Sequence, residues 1–155
     1  MPHITKGGKY IFGWSAIRSN GEILIPAEAV QEYRLEAGEK VILITGSKAS
    51  GGFVVAKKAY LEQSALSGIL TTNPELAQFQ IADGHAILYK GRRYGWTTLL
   101  AGGVLKLSER TLATFEIKPA DRLLSIRGSN LAFVLAAKGP IVEKARLHPE
   151  IRLFE

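Results

Sequence analysis

The sequence predicts a small, mainly β (α+β) barrel with short helices, built from two tandem copies of one unit. Three observations predict it. Strand-like segments separated by turn signals dominate the chain, the helical stretches between them have room for only one or two turns, and one block of sequence returns 82 residues later. The copies span 9–80 and 91–155. One copy alone would expose strand edges and half a core, so the expectation is a single intertwined, pseudo-symmetric domain.

The repeat is legible residue by residue. Phe12-Gly-Trp-Ser-Ala-Ile17 lies over Tyr94-Gly-Trp-Thr-Thr-Leu99, and the register carries on to Ser47 and Ser129. Along it Gly13/Gly95, Trp14/Trp96, Gly21/Gly103, Ile44/Ile126, Gly46/Gly128 and Ser47/Ser129 are identical. Tyr33/Phe115, Leu35/Ile117, Glu39/Asp121 and Lys40/Arg122 exchange like for like. The register resumes at an offset of 80 with Phe53-Val-Val-Ala-Lys-Lys58 over Phe133-Val-Leu-Ala-Ala-Lys138. The deletion between the two registers falls where a hairpin tip tolerates it. Pro74 to Phe79 then lies over Pro149 to Phe154.

Each element follows from local chemistry. Tyr10 to Ile17 is aromatic and β-branched, a strand, and Asn20-Gly21 is a strong hairpin signal leading into Glu22 to Ile25. Gly102-Gly103 stands at the matching turn. Pro26 suits a first helical position, and Ser108 offers the matching helix an N-cap hydroxyl. Val30 with Tyr33, and Leu112 with Phe115, are three apart and share a helix face. Ala37-Gly38-Glu39 and Pro119-Ala120-Asp121 end those helices. Val41 to Ile44 and Leu123 to Ile126 are apolar enough for strands buried on both faces. Phe53 to Lys57 and Phe133 to Ala137 return as strands, followed by amphipathic helices over Tyr60 to Ser67 and Ile141 to Arg146. Asp83-Gly84 reads as a turn and Lys90-Gly-Arg-Arg93 as a basic connector between the copies.

Composition sets the class. At 155 residues with 46% apolar and 22% charged side chains, the chain has ordinary globular balance. With no cysteine it has neither a disulfide framework nor a thiolate metal site. No apolar run approaches the roughly 18 residues of a membrane span, and Met1 to Lys9 lacks the apolar core of an export signal. A cytoplasmic protein without membrane association is expected. The net charge is +6, and the surplus lies in residues 83–155, where 12 basic face 7 acidic side chains. Such a field favours phosphate-bearing partners.

Catalysis has little to stand on. His3, His85 and His148 are far apart, and no P-loop, nucleophile elbow or dinucleotide fingerprint is present. No enzyme, cofactor or metal is expected. The glycine-rich Gly46 to Gly52 reads as a hairpin tip.

The order glycine turn, Ile-Leu-Ile-Pro26, two-turn helix and Gly38-Glu-Lys-Val41 resembles the swapped-hairpin domain of the AbrB/SpoVT/MazE family. The second copy keeps Gly103, Leu105, Leu107 and the turn from Pro119 to Leu123, with Ser108 in place of the proline. The matched segments cover about 90 of the residues, leaving 59–90 and 139–155 outside. In that family two chains interleave hairpins into one barrel that binds operator DNA through basic residues near the first hairpin and helix. The resemblance implies a fused swapped-hairpin β-barrel, a pseudo-dimer within one chain that can form a larger homo-oligomer. It also implies a transcriptional regulator binding double-stranded DNA. The short segment after Pro149 is unlike the long toxin-neutralising tail of the family's antitoxins.

The candidate DNA contacts are Lys6, Lys9 and Arg18 in the first copy, Lys90, Arg92 and Arg93 in the connector, and Lys106 and Arg110 in the second. Basic side chains interleaved with Tyr89 and Tyr94 can grip phosphates and stack on bases. Glu22 and Val104 follow the turn glycines where many family members carry arginine, and Glu28 and Glu32 lie on the first helix's solvent side. The alternative is therefore a module that binds a protein or a small ligand on a barrel that has lost its DNA face. The two readings differ in whether the cations converge or scatter. Trp14 and Trp96, at matching strand positions, are expected to pack in the core.

Overall fold

The computed structural model describes residues 9–82 and 84–155; Asp83, half of the expected Asp83-Gly84 turn, lies outside the described residues. The chain runs through β1 (Ile11–Ala16), β2 (Glu22–Leu24), α1 (Ala27–Glu32), β3 (Lys40–Thr45) and β4 (Phe53–Lys57). Then come α2 (Lys58–Glu62), α3 (Gly68–Thr72), α4 (Pro74–Ala77), β5 (Ile87–Tyr89), β6 (Arg92–Leu100) and β7 (Val104–Lys106). It ends with α5 (Glu109–Thr114), β8 (Arg122–Arg127), β9 (Ala132–Ala136), α6 (Pro140–Ala145) and β10 (Leu153–Phe154).

The strands form one mainly antiparallel sheet in the order β10-β1-β8-β9-β4-β3-β6-β7-β2, with β5 added on β6. A single bridge between Ile17 and Ile23 brings β2 back to β1, so the sheet is a nearly closed barrel. Its pairings cross between the halves of the chain. β1 runs against β8 with Trp14 opposite Leu124, and β3 runs against β6 with Ile42 opposite Trp96. β4 meets β9 with Val54 opposite Val134, and β2 meets β7 with Ile23 opposite Leu105. One irregularity interrupts the match: the register of β1 on β8 shifts between Ile11 and Gly13.

The barrel interior is filled by Val41, Leu43, Phe53, Val55, Leu123, Phe133 and Leu135 together with residues from both short helices. Tyr33, just past α1, tilts against Phe133 of β9 at 5.3 Å between ring centroids. Phe115, just past α5, stacks on Phe53 of β4 at 5.1 Å. Each helix thus plugs the barrel against a strand of the other half. Outside the barrel, α6 and α2 to α4 cover two satellite clusters on which Trp14 and Trp96 lie. Both indoles pack against these clusters, as expected of core residues, but on the outer layer and only half-buried.

Two buried hydroxyls hold the short outer strands. Ser15 Oγ donates to the Leu24 carbonyl at 2.8 Å, and Thr97 Oγ1 donates to the Lys106 carbonyl at 2.9 Å. They tie β1 to β2 and β6 to β7 where the ladders are thin.

Local expectations are corrected at four places. Pro26, with ψ 134, is extended and caps α1, whose first helical residue is Ala27. The amphipathic stretch expected over Tyr60 to Ser67 is helical only at Lys58–Glu62, because Ser64 turns its hydroxyl onto the Leu61 carbonyl and ends the helix. The second such helix lies at Pro140–Ala145, one residue early, since Pro140 starts it. Lys90 to Arg93 is the turn and first strand residues of a hairpin, not a linker. Ser108 does cap α5, accepting from the Thr111 amide at 3.2 Å. Among the described residues no helix is long and apolar enough to cross a membrane.

Thr97→Val is expected to cost about 1–2 kcal/mol by stranding the Lys106 carbonyl, and Ser15→Ala a similar amount. Both are read as a lower urea midpoint at unchanged slope. A separate effect concerns alkaline pH. Burial foremost, and then the Glu32 carboxylate, push the Tyr33 hydroxyl up to about 12. A raised value means the folded chain favours the neutral phenol. That stabilisation is complete below the ordinary value of 10.0 and is lost as pH climbs from there toward 12. Tyr33→Phe should therefore flatten the loss of stability measured between about pH 10 and pH 12.

Candidate nucleic-acid interface

The short strand β5 lies off the barrel path and pairs with the first residues of β6, which itself runs on in the barrel between β3 and β7. Ile87 pairs with Tyr94, Leu88 with Arg93 and Tyr89 with Arg92, leaving Lys90 and Gly91 as a two-residue turn. Both turn residues have positive φ, 47° and 80°, which the tight mirror-image turn of a twisted hairpin requires. Glycine adopts this without penalty, and nothing lies within 4 Å of where a Cβ would stand on Gly91. The turn is therefore free in space as well as in conformation.

Three cations crown this ribbon. Lys90, Arg92 and Arg93 are exposed, and no acidic partner meets any of them among the described residues. Alternation along the strand puts Arg92 and Arg93 on opposite faces, Arg92 beside Tyr89 and Arg93 beside Leu88. Leu88 is 63% exposed, an apolar side chain left in solvent between cations. The Lys90 ammonium lies 5.4 Å from the Tyr89 ring centre, and that ring meets Tyr94 edge-on at 6.2 Å. The Arg93 amide donates to Thr45 Oγ1 at 3.0 Å, fixing the ribbon's root to β3.

The other expected cations are placed differently. Lys6 lies outside the described residues. Lys9 is exposed and precedes Tyr10, whose carbonyl accepts from Arg127 at the end of β8. Arg18 is held by Glu22 at 3.0 Å and by the Glu155 backbone oxygen at 3.1 Å. Hydrogen bonds from Asn20 first and Arg18 second hold the Glu22 carboxyl below the usual carboxylate range. Glu22 thus stays charged and offsets Arg18 at the first hairpin. Lys106 is exposed but stands opposite the same Glu22 across β2 and β7. Arg110 packs its guanidinium on His85, 2.7 Å from Nε2.

These sites do not form one cluster. The Lys106 carbonyl is held at Thr97, five residues along β6 from Arg92, or roughly 17 Å of strand. The helix α1 side is acidic at its surface, where Glu28 accepts from Tyr10 and Glu32 pairs with Arg127. The structure brings Lys90, Arg92 and Arg93 together on the hairpin, and through His85 it holds Arg110 beside the start of that hairpin. Leu88 was missed from the sequence, although Ile-Leu-Tyr, Lys-Gly and Arg-Arg-Tyr is a hairpin signal in itself. Among the described residues no group of three acidic or imidazole side chains could hold a metal ion.

No protein-family model matches the chain, and no curated protein does. Among solved structures it is similar to the solution structure of PHS018 from Pyrococcus horikoshii. The two are 12% identical over 84% of this chain and 96% of that one, with a TM-score of 0.36.

Gly91→Val places a β-branched residue at positive φ, a strain of about 1–2 kcal/mol. Because β5 is off the barrel path, the expected result is about tenfold faster amide exchange within Leu88 to Tyr94, with the thermal midpoint nearly unchanged.

Proposed function

We propose that this protein binds double-stranded DNA as a transcriptional regulator of the AbrB/SpoVT type, on a barrel of two fused swapped-hairpin copies. The fused reading is supported by the pairing of β1 with β8 and of β6 with β3 in matching register. It is also supported by element bounds that coincide under the 82-residue shift, β2 with β7, α1 with α5 and β3 with β8. Two halves that complete each other in this way do what two interleaved chains would do.

The observation that carries the DNA reading is the β5–β6 ribbon with its three exposed cations. A two-stranded ribbon fits the major groove of duplex DNA. With Arg92 on one face and Arg93 on the other, such a ribbon meets phosphates on both walls of the groove, and Lys90 leads at the tip. Leu88 and Tyr89 supply apolar and aromatic contact to base edges. Lys106 lies along β7, off the hairpin tip, and adds a diffuse positive field. Arg18 adds little while Glu22 holds it.

Binding to random-sequence duplex across a salt series tests this, with Lys90→Ala/Arg92→Ala/Arg93→Ala as the variant. The expected result is a log-log salt dependence whose slope shrinks by about 2–3 in the variant, near 0.9 for each phosphate that is no longer neutralised. An unchanged slope, or no binding by the unaltered protein at about 50 mM salt, would sink the proposal.

A further inference from the structure

The two copies place matched residues at opposite ends of the barrel. Antiparallel pairings lead from β1 through β8, β9, β4 and β3 to β6, five reversals in all, so β1 and β6 run in opposite directions. The start of β1, beside α1, therefore lies at one end of the sheet, and the start of β6, beside α5, at the other. Under the 82-residue shift Tyr10, Ile11 and Glu28 at the first end correspond to Arg92, Arg93 and Arg110 at the second.

The charge of the two ends is unequal. At the first, the Tyr10 hydroxyl donates to Glu28, and Arg127 pairs with Glu32 while its guanidinium lies 4.4 Å from the Tyr10 ring centre. Glu150 and Arg152 share the small cleft beside Glu28. Lys9, Arg127 and Arg152 thus stand among Glu28, Glu32 and Glu150, and their charges cancel. At the second end Lys90, Arg92, Arg93 and Arg110 have no acidic partner among the described residues. Glu109, next to Arg110 in sequence, lines the groove that holds Lys106 and Lys118. Arg110 belongs to this end through His85: a guanidinium only donates, so the imidazole Nε2 accepts from it at 2.7 Å. A Cβ on Gly84 would stand 3.2 Å from the Arg110 Cβ, and one on Gly95 would stand 3.4 Å from the His85 carbonyl oxygen. Gly95 is two residues, or roughly 7 Å of strand, from Arg93. The four cations therefore fit within one turn of duplex, about 34 Å.

A two-fold symmetric protein offers equal faces to a palindromic site. This chain has the matched scaffold without the matched charge. We infer that the second end alone engages DNA, with Arg110 as a fourth phosphate contact beside Lys90, Arg92 and Arg93. One chain then lies on one DNA segment in a single orientation, and the site it takes has no two-fold symmetry. Turning the first end to the duplex would bring Glu28 and Glu32 toward phosphates, which like charge opposes. The inference rests on the DNA reading of the β5–β6 hairpin and adds which end of the barrel meets the duplex and what symmetry the site has.

The test is amide hydrogen exchange of the full chain, with and without a random-sequence duplex of about two helical turns, at about 50 mM salt. DNA should slow exchange at least about fivefold within residues 85–94 and 108–114 and leave residues 9–13 and 27–33 unaltered. Equal slowing at both ends overturns the inference and leaves the DNA reading in place. Two matched variants give a second readout. Arg110→Gln should lower the log-log salt slope by about 0.9, the share of one phosphate, and Glu28→Gln should leave it unaltered. An unchanged slope in Arg110→Gln overturns the inference, as does an affinity gain in Glu28→Gln equal in size to the Arg110→Gln loss, since both ends would then face phosphate. No binding by the unaltered chain overturns the DNA reading and this inference together, so the two failures are distinguishable.

Discussion

The barrel depends on strands that find their partners in the other half of the chain. β1 has β8 beside it and β3 has β6, so neither half forms the sheet alone. The same crossing organises the interior, where Tyr33 meets Phe133 and Phe115 meets Phe53. Helices of six residues are too short to be stable by propensity. They persist because their apolar faces are buried against strands supplied by the opposite half. Ser15 and Thr97 complete the arrangement, since the short β2 and β7 have few ladder bonds and a buried hydroxyl supplies another to each.

This scaffold sorts the charge. The first hairpin carries Arg18, but Asn20 and Arg18 both stabilise the Glu22 carboxylate, and the local field is nearly cancelled. The cations of the β5–β6 hairpin escape that fate because no acidic side chain pairs with them among the described residues, while Ile87, Tyr89 and Tyr94 pack the hairpin on the outer cluster. Placement matters as much as number. A basic side chain beside a carboxylate contributes little to a distant phosphate, whereas an exposed one with no acidic neighbour contributes its full charge.

The halves depart from each other most at their C-terminal ends. Pro74-Glu-Leu-Ala-Gln-Phe79 and Pro149-Glu-Ile-Arg-Leu-Phe154 are alike in pattern, yet the first coils into α4 and the second ends in β10. Composition leans the same way. Leu76 and Ala77 favour a helix, while Ile151, Leu153 and Phe154 suit a strand lying on the edge of β1. Phe79 consequently covers the outer face of Trp96, with the Lys40 ammonium 5.2 Å from the indole ring.

The sequence by itself determined the strands, turns and short helices closely, because each depends on neighbours: Asn20-Gly21, the Ser108 cap, and the apolar runs from Val41 and Leu123. It also determined that two halves share a pattern, since identities such as Gly13/Gly95 and Trp14/Trp96 recur at a fixed spacing. Only the tertiary structure decided which strand lies beside which, that Lys90 to Arg93 forms the tip of a hairpin, and that Glu22 offsets Arg18. Only it decided that Trp14 and Trp96 face outward and that Leu153 and Phe154 pair along β1 while Pro74 to Ala77 coils into α4. Side-chain alternation says that two residues face opposite ways, but which way is inward is set by the strand that pairs alongside. Contacts of that kind join positions tens of residues apart, and no local pattern encodes their distance.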